Sequence, residues 1–363
     1  MKVAVILGTR PEIIKMAPII RELERREMNY FILHTGQHYS YDMDQIFFEQ
    51  LGLPQPKYNL RTGSGTHAQQ TGRMLMGIEE VLLKEKPDIV LVQGDTNTTL
   101  AGALAAAKIH VPVGHVEAGL RSFDREMPEE INRTLTDHLS EYLFAPTERA
   151  RQNLLKEGIP SKRIYVTGNT VVDAVYQHIK LAQSSNILER LQLKPRQYLL
   201  LTLHRQENVD RRCRLKSILK GLKLITKELQ QEIIYPIHPR TEKRIKQFGL
   251  RIPEGVRVIP PLDYLSFLKL ESNAKLILTD SGGVQEEACI LRVPCVTLRY
   301  NTERPETIEV GANVLAGADP QTIFEKTVKM LDRKRSWRNP FGDGRASERI
   351  ITLINRETRG NQR

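Results

Sequence analysis

Three carboxylates stand where predicted strands end or where a predicted helix begins, and such positions suit acid–base chemistry. Asp95 follows one apolar strand, Glu117 follows another, and Glu129 comes directly after Pro128 at a helix start. Two of them have a local structural alternative. An aspartate in such a turn equally often caps the next helix, and a glutamate at a helix N-terminus is favoured by the helix dipole alone. Together, the three indicate a site that moves protons.

A second group of residues favours the binding of an anion. Ser281, Gly282 and Gly283 follow the predicted strand Leu276–Thr279 and precede a predicted helix. Glycines let the chain turn sharply and let a phosphate approach closely, and the N–H groups at a helix N-terminus favour negative charge. Glu287, one turn further on, can accept from two neighbouring hydroxyls such as those of a ribose. Taken alone, the Ser-Gly-Gly step is more typical of a plain tight turn, so diphosphate binding needs support from elsewhere.

Basic side chains accompany both groups. Arg10 lies at the end of the first strand, where ligands bind in α/β sheets. Lys15 lies one turn into the next helix, where a solvated helix face is the commoner explanation. His204 ends a later strand and equally fits an ordinary strand-end histidine, and Arg304 lies beyond the last predicted strand. A nucleotide sugar suits this division, with its diphosphate on the second half of the chain and its sugar under the carboxylates of the first.

The elements that must position these residues alternate between strand and helix, and they do so twice. Apolar runs of strand length recur in residues 3–166 and again in 198–298, with helical patterns between them. Short connections with this alternation are typical of parallel sheets covered on both faces. We therefore predict an α/β protein of two Rossmann-like doubly wound domains facing across a cleft. Residues 1–170 form the domain with the carboxylates, joined by a C-terminal helix in 345–363, and residues 171–344 form the domain that binds the nucleotide.

Composition and motif content argue against a nucleic-acid binder and against an enzyme with a dinucleotide cofactor. The chain of 363 residues carries a formal net charge of +11, but its basic residues are dispersed and no basic block interleaves with aromatic residues. A nucleic-acid partner is therefore not expected, and a nucleic-acid binder stays a distant alternative that only the charge motivates. Neither half carries the glycine-rich dinucleotide fingerprint after a strand. We expect no cofactor.

The cysteines and the apolar runs bear on the compartment. Cys213, Cys289 and Cys295 make an odd number without a Cys-x-x-Cys spacing, which argues against a disulfide framework and against a zinc site. No metal is expected. There is no stretch of membrane-spanning length and no signal-peptide pattern. We expect a cytoplasmic protein that does not bind membranes.

Seven motifs, in order over nearly the whole chain, resemble those of the non-hydrolysing UDP-N-acetylglucosamine 2-epimerases: Gly8–Glu12, Gly94–Thr96, His115–Arg121, Pro128–Arg133, Thr167–Thr170, Asp280–Glu287 and Thr302–Glu306. The resemblance implies a glycosyltransferase-B-type fold, a homodimer, and interconversion of UDP-GlcNAc with UDP-ManNAc. It implies acid–base roles for the carboxylates and the histidine, namely Asp95, Glu117, Glu129 and His204. It implies substrate contacts by Arg10, Ser281, Gly282, Gly283, Glu287 and Arg304, and less firmly by Lys15 and Phe267.

Two departures from the family pattern qualify these implications. Bacterial members have a Gln-His-Arg-Glu stretch that holds a second UDP-GlcNAc as an allosteric activator, whereas this chain has Gln37–Tyr41, which resembles archaeal-type sequences. Allosteric activation is therefore not expected. Some members place a glutamine where Leu262 stands, so any uracil contact there would be through the backbone.

Two related activities stay open on the sequence. A hydrolysing relative would release ManNAc after the same first step, and a glycosyltransferase of the same architecture would pass the sugar to an acceptor. The exclusion of water from the site separates the non-hydrolysing from the hydrolysing reaction. Residue types alone do not show whether water is excluded.

Overall fold

The computed structural model describes residues 1–36 and 47–360 of the chain. Its contacts divide the chain into two compact units. Unit 1 comprises Met1–Ala174 and Phe341–Arg363, and unit 2 comprises Val175–Pro340. Each unit contains one parallel sheet flanked by helices, which confirms the predicted fold class of two Rossmann-like domains.

Unit 1 is built on a seven-stranded sheet in the order β3-β2-β1-β4-β5-β6-β7. Its strands are β1 Lys2–Leu7, β2 Asn29–His34, β3 Tyr58–Asn59, β4 Ile89–Gln93, β5 Val113–Val116, β6 Tyr142–Ala145 and β7 Ile164–Val166. Its helices are α1 Arg10–Arg25, α2 His67–Glu85, α3 Asn97–Lys108, α4 Pro128–Leu139, α5 Glu148–Lys156 and the first five residues of α6 Thr170–Ala182, with the short 3₁₀ turn Ser161–Arg163. The central strands contain the buried apolar runs Val3–Leu7 and Ile89–Val92, because helices cover both faces of such a sheet.

Unit 2 repeats the arrangement with a six-stranded sheet in the order β10-β9-β8-β11-β12-β13. The strands are β8 Tyr198–Thr202, β9 Glu232–Pro236, β10 Val256–Ile259, β11 Leu276–Thr279, β12 Cys295–Thr297 and β13 Asn313–Leu315. The helices are α7 Ile187–Arg190, α8 Gln206–Val209, α9 Arg212–Leu229, α10 Pro239–Gln247, α11 Tyr264–Asn273, α12 Gly282–Ile290, α13 Pro305–Glu309 and α14 Pro320–Leu331.

The last helix, α15 Ala346–Gly360, returns to unit 1. Asp173 holds its start, since its carboxylate accepts from the N–H groups of Ala346 and Ser347 and from the Ser347 hydroxyl at 2.6 to 3.2 Å. Satisfying the first N–H groups of a helix is what an N-terminal cap does. Here the cap comes from α6, 173 residues earlier in the chain, and it ties the end of the chain to unit 1.

Both sheets place their first and fourth strands side by side. In unit 1 the pair is β1 and β4, and in unit 2 it is β8 and β11. The chain on either side of such a pair winds in opposite directions, and ligands bind at this switch point, outside the carboxyl ends of the strands. We therefore expect a functional site in the turns after these four strands.

Candidate active site

The turns after β1 and β4 are tied together by Glu12. Its buried carboxylate accepts hydrogen bonds from the N–H of Gly8 at 2.9 Å, from the Thr9 hydroxyl at 2.9 Å and from the Thr96 hydroxyl at 2.7 Å. Burial raises the pKa of Glu12 in spite of these donors. One side chain from α1 thus fixes both turns at the switch point of unit 1.

Glu117 directly follows β5 and is almost completely buried. The Lys15 ammonium donates to both of its carboxylate oxygens, at 2.8 and 2.7 Å, and the Gln93 amide also donates to it. The backbone of Glu117 has a φ of +71°, a left-handed conformation that is uncommon for a residue with a Cβ. Such strain concentrates at functional sites. Lys15 does not lie on a solvated helix face, because its ammonium reaches inward to hold this carboxylate.

Asp95 lies in the turn after β4, and its partner is Arg133 of α4. The Arg133 guanidinium donates to Asp95 at 2.6 Å and is itself paired with the buried Glu130 at 2.7 Å. The helix after this turn is capped by Thr96 instead, whose hydroxyl accepts from the third residue of α3. The capping explanation for Asp95 is therefore wrong. The Asp95 side chain stays one-third exposed, so it is held by a cation yet open to solvent.

Two other predicted residues of unit 1 are less constrained. Glu129 is the second residue of α4 and is partly buried, with no hydrogen bond or ion pair to the residues that the structure describes. Its neighbour Glu130 takes the structural role, accepting from the N–H groups of Ser122 and Phe123. Arg10 is exposed at the first position of α1. Both side chains remain accessible to a ligand.

His115 of β5 forms a buried pair with Asp137 of α4. One ring nitrogen contacts the Asp137 carboxylate at 2.6 Å, and the other contacts the carbonyl oxygen of Gly94 at 2.8 Å. Burial alone would raise the pKa of Asp137, but His115 and Arg121 outweigh burial and hold it below its ordinary value. The pair anchors the backbone of the turn that carries Asp95.

In unit 2, α12 begins at the switch point between β8 and β11. Ser281 is its N-terminal flanking residue, and Gly282 and Gly283 are its first two helical residues. Neither glycine has a positive φ, so the expectation that they form a sharp turn is wrong: Asp280 and Ser281 make the connection. A side chain at Gly283 would meet open space, which leaves room for a ligand beside N–H groups that have no acceptor within the helix.

His204 follows β8 and is organised by Asp280. The buried Asp280 carboxylate accepts from the backbone N–H groups of His204 at 3.1 Å and Arg205 at 2.9 Å, and it lies 3.4 Å from a ring nitrogen of His204. The His204 side chain is 38% exposed. Desolvation lowers the pKa of His204, nearby Arg205 and Arg240 act in the same direction, and the Asp280 charge opposes them. The ring is thus neutral over a wider range of pH than an unperturbed histidine.

The remaining predicted residues of unit 2 are buried or partly buried. Arg304 is paired with the fully buried Glu286 of α12 at 2.8 Å. Glu287, one position along, accepts a hydrogen bond from the Tyr264 hydroxyl at 3.1 Å. Phe267 of α11 packs partly buried against the apolar core of the unit. Glu286 and Glu287 therefore have different partners, one a cation and the other a phenol.

Within each unit, the structure brings most of the predicted residues to one edge of the sheet. Unit 1 collects Asp95, Glu117 and Lys15 after β4 and β5 and on α1. Unit 2 collects its residues after β8 and β11 and on the helices that follow: His204, Ser281, Gly282, Gly283 and Glu287. Sequence reasoning missed the partners that hold them, namely Gln93, Arg133, Asp137, Glu130 and Tyr264. A spacing signal existed for Arg133, which lies three residues after Glu130 on one helix face.

Two absences hold for the part of the chain that the structure describes. No helix there has both the length and the apolar character needed to cross a membrane. No group of three or more His, Cys, Asp or Glu side chains there could hold a metal ion.

The sequence and the structure of this chain are both similar to those of nucleotide-sugar 2-epimerases. A sequence model of the UDP-N-acetylglucosamine 2-epimerase family matches residues 21–355. The UDP-N-acetylglucosamine 2-epimerase of Methanocaldococcus jannaschii is 58% identical, over 98% of this chain and 99% of that protein. A crystal structure of the enzyme from that organism, in complex with UDP-GlcNAc and UDP, superposes with a TM-score of 0.92 at 59% identity, over 98% of this chain and 99% of that one. A UDP-2,3-diacetamido-2,3-dideoxy-D-glucuronate 2-epimerase of Pseudomonas aeruginosa is 46% identical, over 98% of this chain and 99% of that protein.

Fold and comparisons together define a class first, the glycosyltransferase-B-type proteins with two Rossmann-like domains. Within that class, the relatives reported above are all 2-epimerases of nucleotide sugars. The chain belongs to the UDP-N-acetylglucosamine 2-epimerase family.

Proposed function

We propose that this protein interconverts UDP-GlcNAc and UDP-ManNAc by inverting C2 of the sugar, without net hydrolysis. The observation that carries the proposal is the pair of carboxylates at adjacent strand ends of unit 1, each with its own cation: Lys15 for Glu117 and Arg133 for Asp95. The related structure with UDP-GlcNAc and UDP bound supports the substrate. Charged carboxylates can accept a proton, and a cation beside each favours the charged form.

The chemistry explains why such a pair is needed. The proton on C2 is not next to a carbonyl and is barely acidic, so inversion needs either transient oxidation or elimination. We propose elimination: a base takes the C2 proton while the C1–O bond to UDP breaks, giving a 2-acetamidoglucal. UDP then adds back to C1 as a proton is delivered to the opposite face of C2. Two acid–base groups on opposite faces are required, and we assign Asp95, Glu117, Glu129 and His204 to this set.

The departing UDP must also be stabilised. We assign the diphosphate to the N-terminus of α12, at Ser281, Gly282 and Gly283, with Arg10 and Arg304 supplying positive charge. We assign the ribose hydroxyls to Glu287 and the uracil region to Phe267. Lys15 is assigned to the substrate site through the Glu117 carboxylate that it holds. Asp280, directly before Ser281, supports this arrangement because its carboxylate holds the backbone of His204 and Arg205.

The proposal extends to the assembly. The family resemblance implies a homodimer, and the cysteine pattern favours a cytoplasmic location. Gln37–Tyr41, on which the expectation about allosteric activation rests, lies outside the described residues. We propose that turnover needs no second UDP-GlcNAc. A hyperbolic dependence of rate on UDP-GlcNAc concentration is the expected result, and a sigmoidal one would contradict it.

One experiment separates the possible reactions: incubation with UDP-GlcNAc in D₂O, followed by NMR of the sugar. The epimerase gives UDP-GlcNAc and UDP-ManNAc that both gain deuterium at C2. Free ManNAc and UDP would indicate the hydrolysing reaction instead. Absence of turnover and exchange until an acceptor sugar is added would indicate a glycosyltransferase. Turnover of UDP-2,3-diacetamido-2,3-dideoxy-D-glucuronate in place of UDP-GlcNAc would contradict the substrate assignment.

A further inference from the structure

A network of uncharged hydrogen bonds surrounds the backbone of Arg304 in unit 2. Its side chains come from two strands, from α12 and from either side of Arg304: Gln285 on α12, Thr297 at the end of β12, Thr302, Thr307 and Asn313 at the start of β13. All of them except Thr302 are buried. Burying polar groups is unfavourable unless they are paired, and the proposed reaction uses none of these side chains directly.

The network holds the backbone of Arg304 from both sides. The Arg304 N–H donates to the Thr302 hydroxyl at 3.0 Å, and the Thr307 hydroxyl donates to the Arg304 carbonyl oxygen at 2.8 Å. The Thr302 hydroxyl in turn donates to Oε1 of Gln285 at 2.7 Å. The Asn313 amide donates to the Thr307 hydroxyl at 3.1 Å and to the same Gln285 oxygen at 3.3 Å. Both paths from Arg304 thus end on one atom of Gln285.

The peptide groups of Arg304 fix the direction of each hydrogen bond in these paths. Because a carbonyl oxygen only accepts, the Thr307 hydroxyl must donate to it, and the Asn313 atom that faces Thr307 must then be a donor. Gln285 therefore presents its oxygen, and not its amide nitrogen, to Asn313. The two lone pairs of this oxygen match the two donors that it receives.

The nitrogen of the Gln285 amide has no hydrogen-bond partner among the residues that the structure describes, although the side chain is fully buried. An unpaired buried donor costs free energy, and an apolar residue of similar size would avoid that cost. What the amide contributes at this position is therefore its oxygen, which holds Thr302 and Asn313.

Arg304 is held against the helix whose N-terminus is the proposed diphosphate site. Glu286, the neighbour of Gln285 on α12, lies 2.8 Å from the Arg304 guanidinium. At the start of the same helix, a Cβ on Gly282 would come within 2.8 Å of the Glu303 carboxylate, so the residue before Arg304 packs against the first turn. One helix therefore presents the backbone N–H groups and holds the arginine that is proposed to act with them.

We propose that Gln285 is a positioning residue for the diphosphate site: through Thr302 and Asn313 it fixes the backbone of Arg304, and so the guanidinium, relative to the N-terminus of α12. This inference rests on the proposed role of Arg304 and of the α12 N-terminus in binding UDP. Uncharged hydrogen bonds suit the purpose, because they add no charge that would compete with the diphosphate for Arg304. Gln285 is fully buried and acts without touching the ligand.

The test compares the affinities for UDP and for uridine, which lacks the diphosphate, by competition calorimetry. Gln285→Met keeps the size of the side chain but removes the oxygen. Its affinity for UDP should fall about 10-fold, the lower end of the range for a hydrogen bond to a charged group. Its affinity for uridine should stay within about 3-fold of wild type, since the loss concerns the diphosphate. Wild-type affinity for UDP, or an equal loss for both ligands, would overturn the proposal.

Substitutions at Thr302 cover the case in which Gln285→Met does not fold. Thr302→Val lacks the hydroxyl and should lose UDP affinity in the same way, whereas Thr302→Ser keeps the hydroxyl and should stay within about 3-fold of wild type. The matched control is Thr327→Val in α14, because the Thr327 hydroxyl is buried and donates only to the Ile323 carbonyl of its own helix. It should leave both affinities unchanged. A Thr302→Val variant that behaves like this control would overturn the proposal.

A double-mutant cycle shows whether Gln285 acts through Arg304. Arg304→Lys keeps a cation beside Glu286 but loses the planar guanidinium, so it should itself lower UDP affinity about 10-fold. Gln285→Met should then add less than about 3-fold in the Arg304→Lys background, because there is no guanidinium left to position. Losses that multiply in full, to about 100-fold for the double variant, would overturn the proposal.

These outcomes differ from a failure of the proposed function. Wild type that does not bind UDP overturns the nucleotide assignment, and this inference with it. An Arg304→Lys variant that binds UDP like wild type overturns the role of Arg304 and this inference, but leaves the proposed reaction standing. Selective loss of UDP affinity in Gln285→Met and Thr302→Val, in a protein that does not epimerise UDP-GlcNAc, supports this inference and overturns the reaction.

Discussion

The pair of Lys15 and Glu117 allows the sharpest test of how unit 1 holds its carboxylates. Their side chains are 10% and 2% exposed, and the ammonium nitrogen lies 2.7 Å from the nearer oxygen. Removing one partner of a buried pair leaves the other charge desolvated and costs about 3–5 kcal/mol. Lys15→Met and Glu117→Gln should each lower the free energy of unfolding by about 3 kcal/mol, the lower end of that range, because Gln93 remains to contact residue 117.

The double variant should lose no more stability than either single variant, since no unpaired charge remains. The coupling energy from the double-mutant cycle is then about 3 kcal/mol. Urea unfolding followed by far-UV circular dichroism gives the free energies. Trp337 is the chain's only tryptophan and is buried in unit 2, so its fluorescence reports separately on that unit. If the units unfold in separate transitions, the Trp337 transition should not move.

The exposed pair of Arg151 and Glu148 is a matched control in the same unit. Its nitrogen–oxygen distance is 2.8 Å, but its side chains are 31% and 62% exposed. Surface pairs of this kind contribute little, so the same cycle on Arg151→Met and Glu148→Gln should show no measurable coupling. Additive single-variant losses at Lys15 and Glu117 would refute the reasoning, because additivity would mean that water, rather than the partner, compensates each charge.

Three further predictions concern the surrounding network. Asp137→Asn removes the carboxylate that pairs with the buried Arg121 guanidinium at 2.7 Å, and should lower the free energy of unfolding by about 3 kcal/mol. The folded pKa of Asp137 lies below its ordinary 3.8, so this loss of stability relative to wild type should be constant above pH 3.8. It should shrink as the pH falls through the folded pKa, where wild type loses the charge as well. Urea unfolding at several pH values measures the difference. Because desolvation holds the pKa of His204 below 6.5, the acid limb of the kcat/KM profile should lie below 6.5, and His204→Asn should remove that limb while UDP affinity stays within a few-fold. Glu12→Ala leaves the Gly8 N–H without an acceptor and should destabilise by about 2 kcal/mol or more, whereas Glu12→Gln, which keeps an oxygen for Gly8, should lose much less in the same measurement.

The strands that support the site were predictable because they are long apolar runs. Val113–Val116 and Leu276–Thr279 have the bounds that the sequence indicates. The edge strands β3 and β13 have two and three residues and were not predicted, since a period of two residues cannot be recognised over so short a length. The predicted boundary between residues 170 and 171 lies at the start of α6, Thr170–Ala182, a regular helix within which the two units divide at Ala174 and Val175.

The positions of the candidate site residues at strand ends and helix starts were predictable, but their partners were not. Lys15 and Glu117 are 102 residues apart in the chain, and Asp95 and Arg133 are 38 apart. Local patterns contain no information about such pairs, so they cannot distinguish an inward-pointing Lys15 from one on a solvated face, or a cation-paired Asp95 from a helix cap. For the glycines of α12, the prediction from residue type was itself wrong. Their type suggested a sharp turn, whereas the structure uses them as helical residues without side chains beside open space.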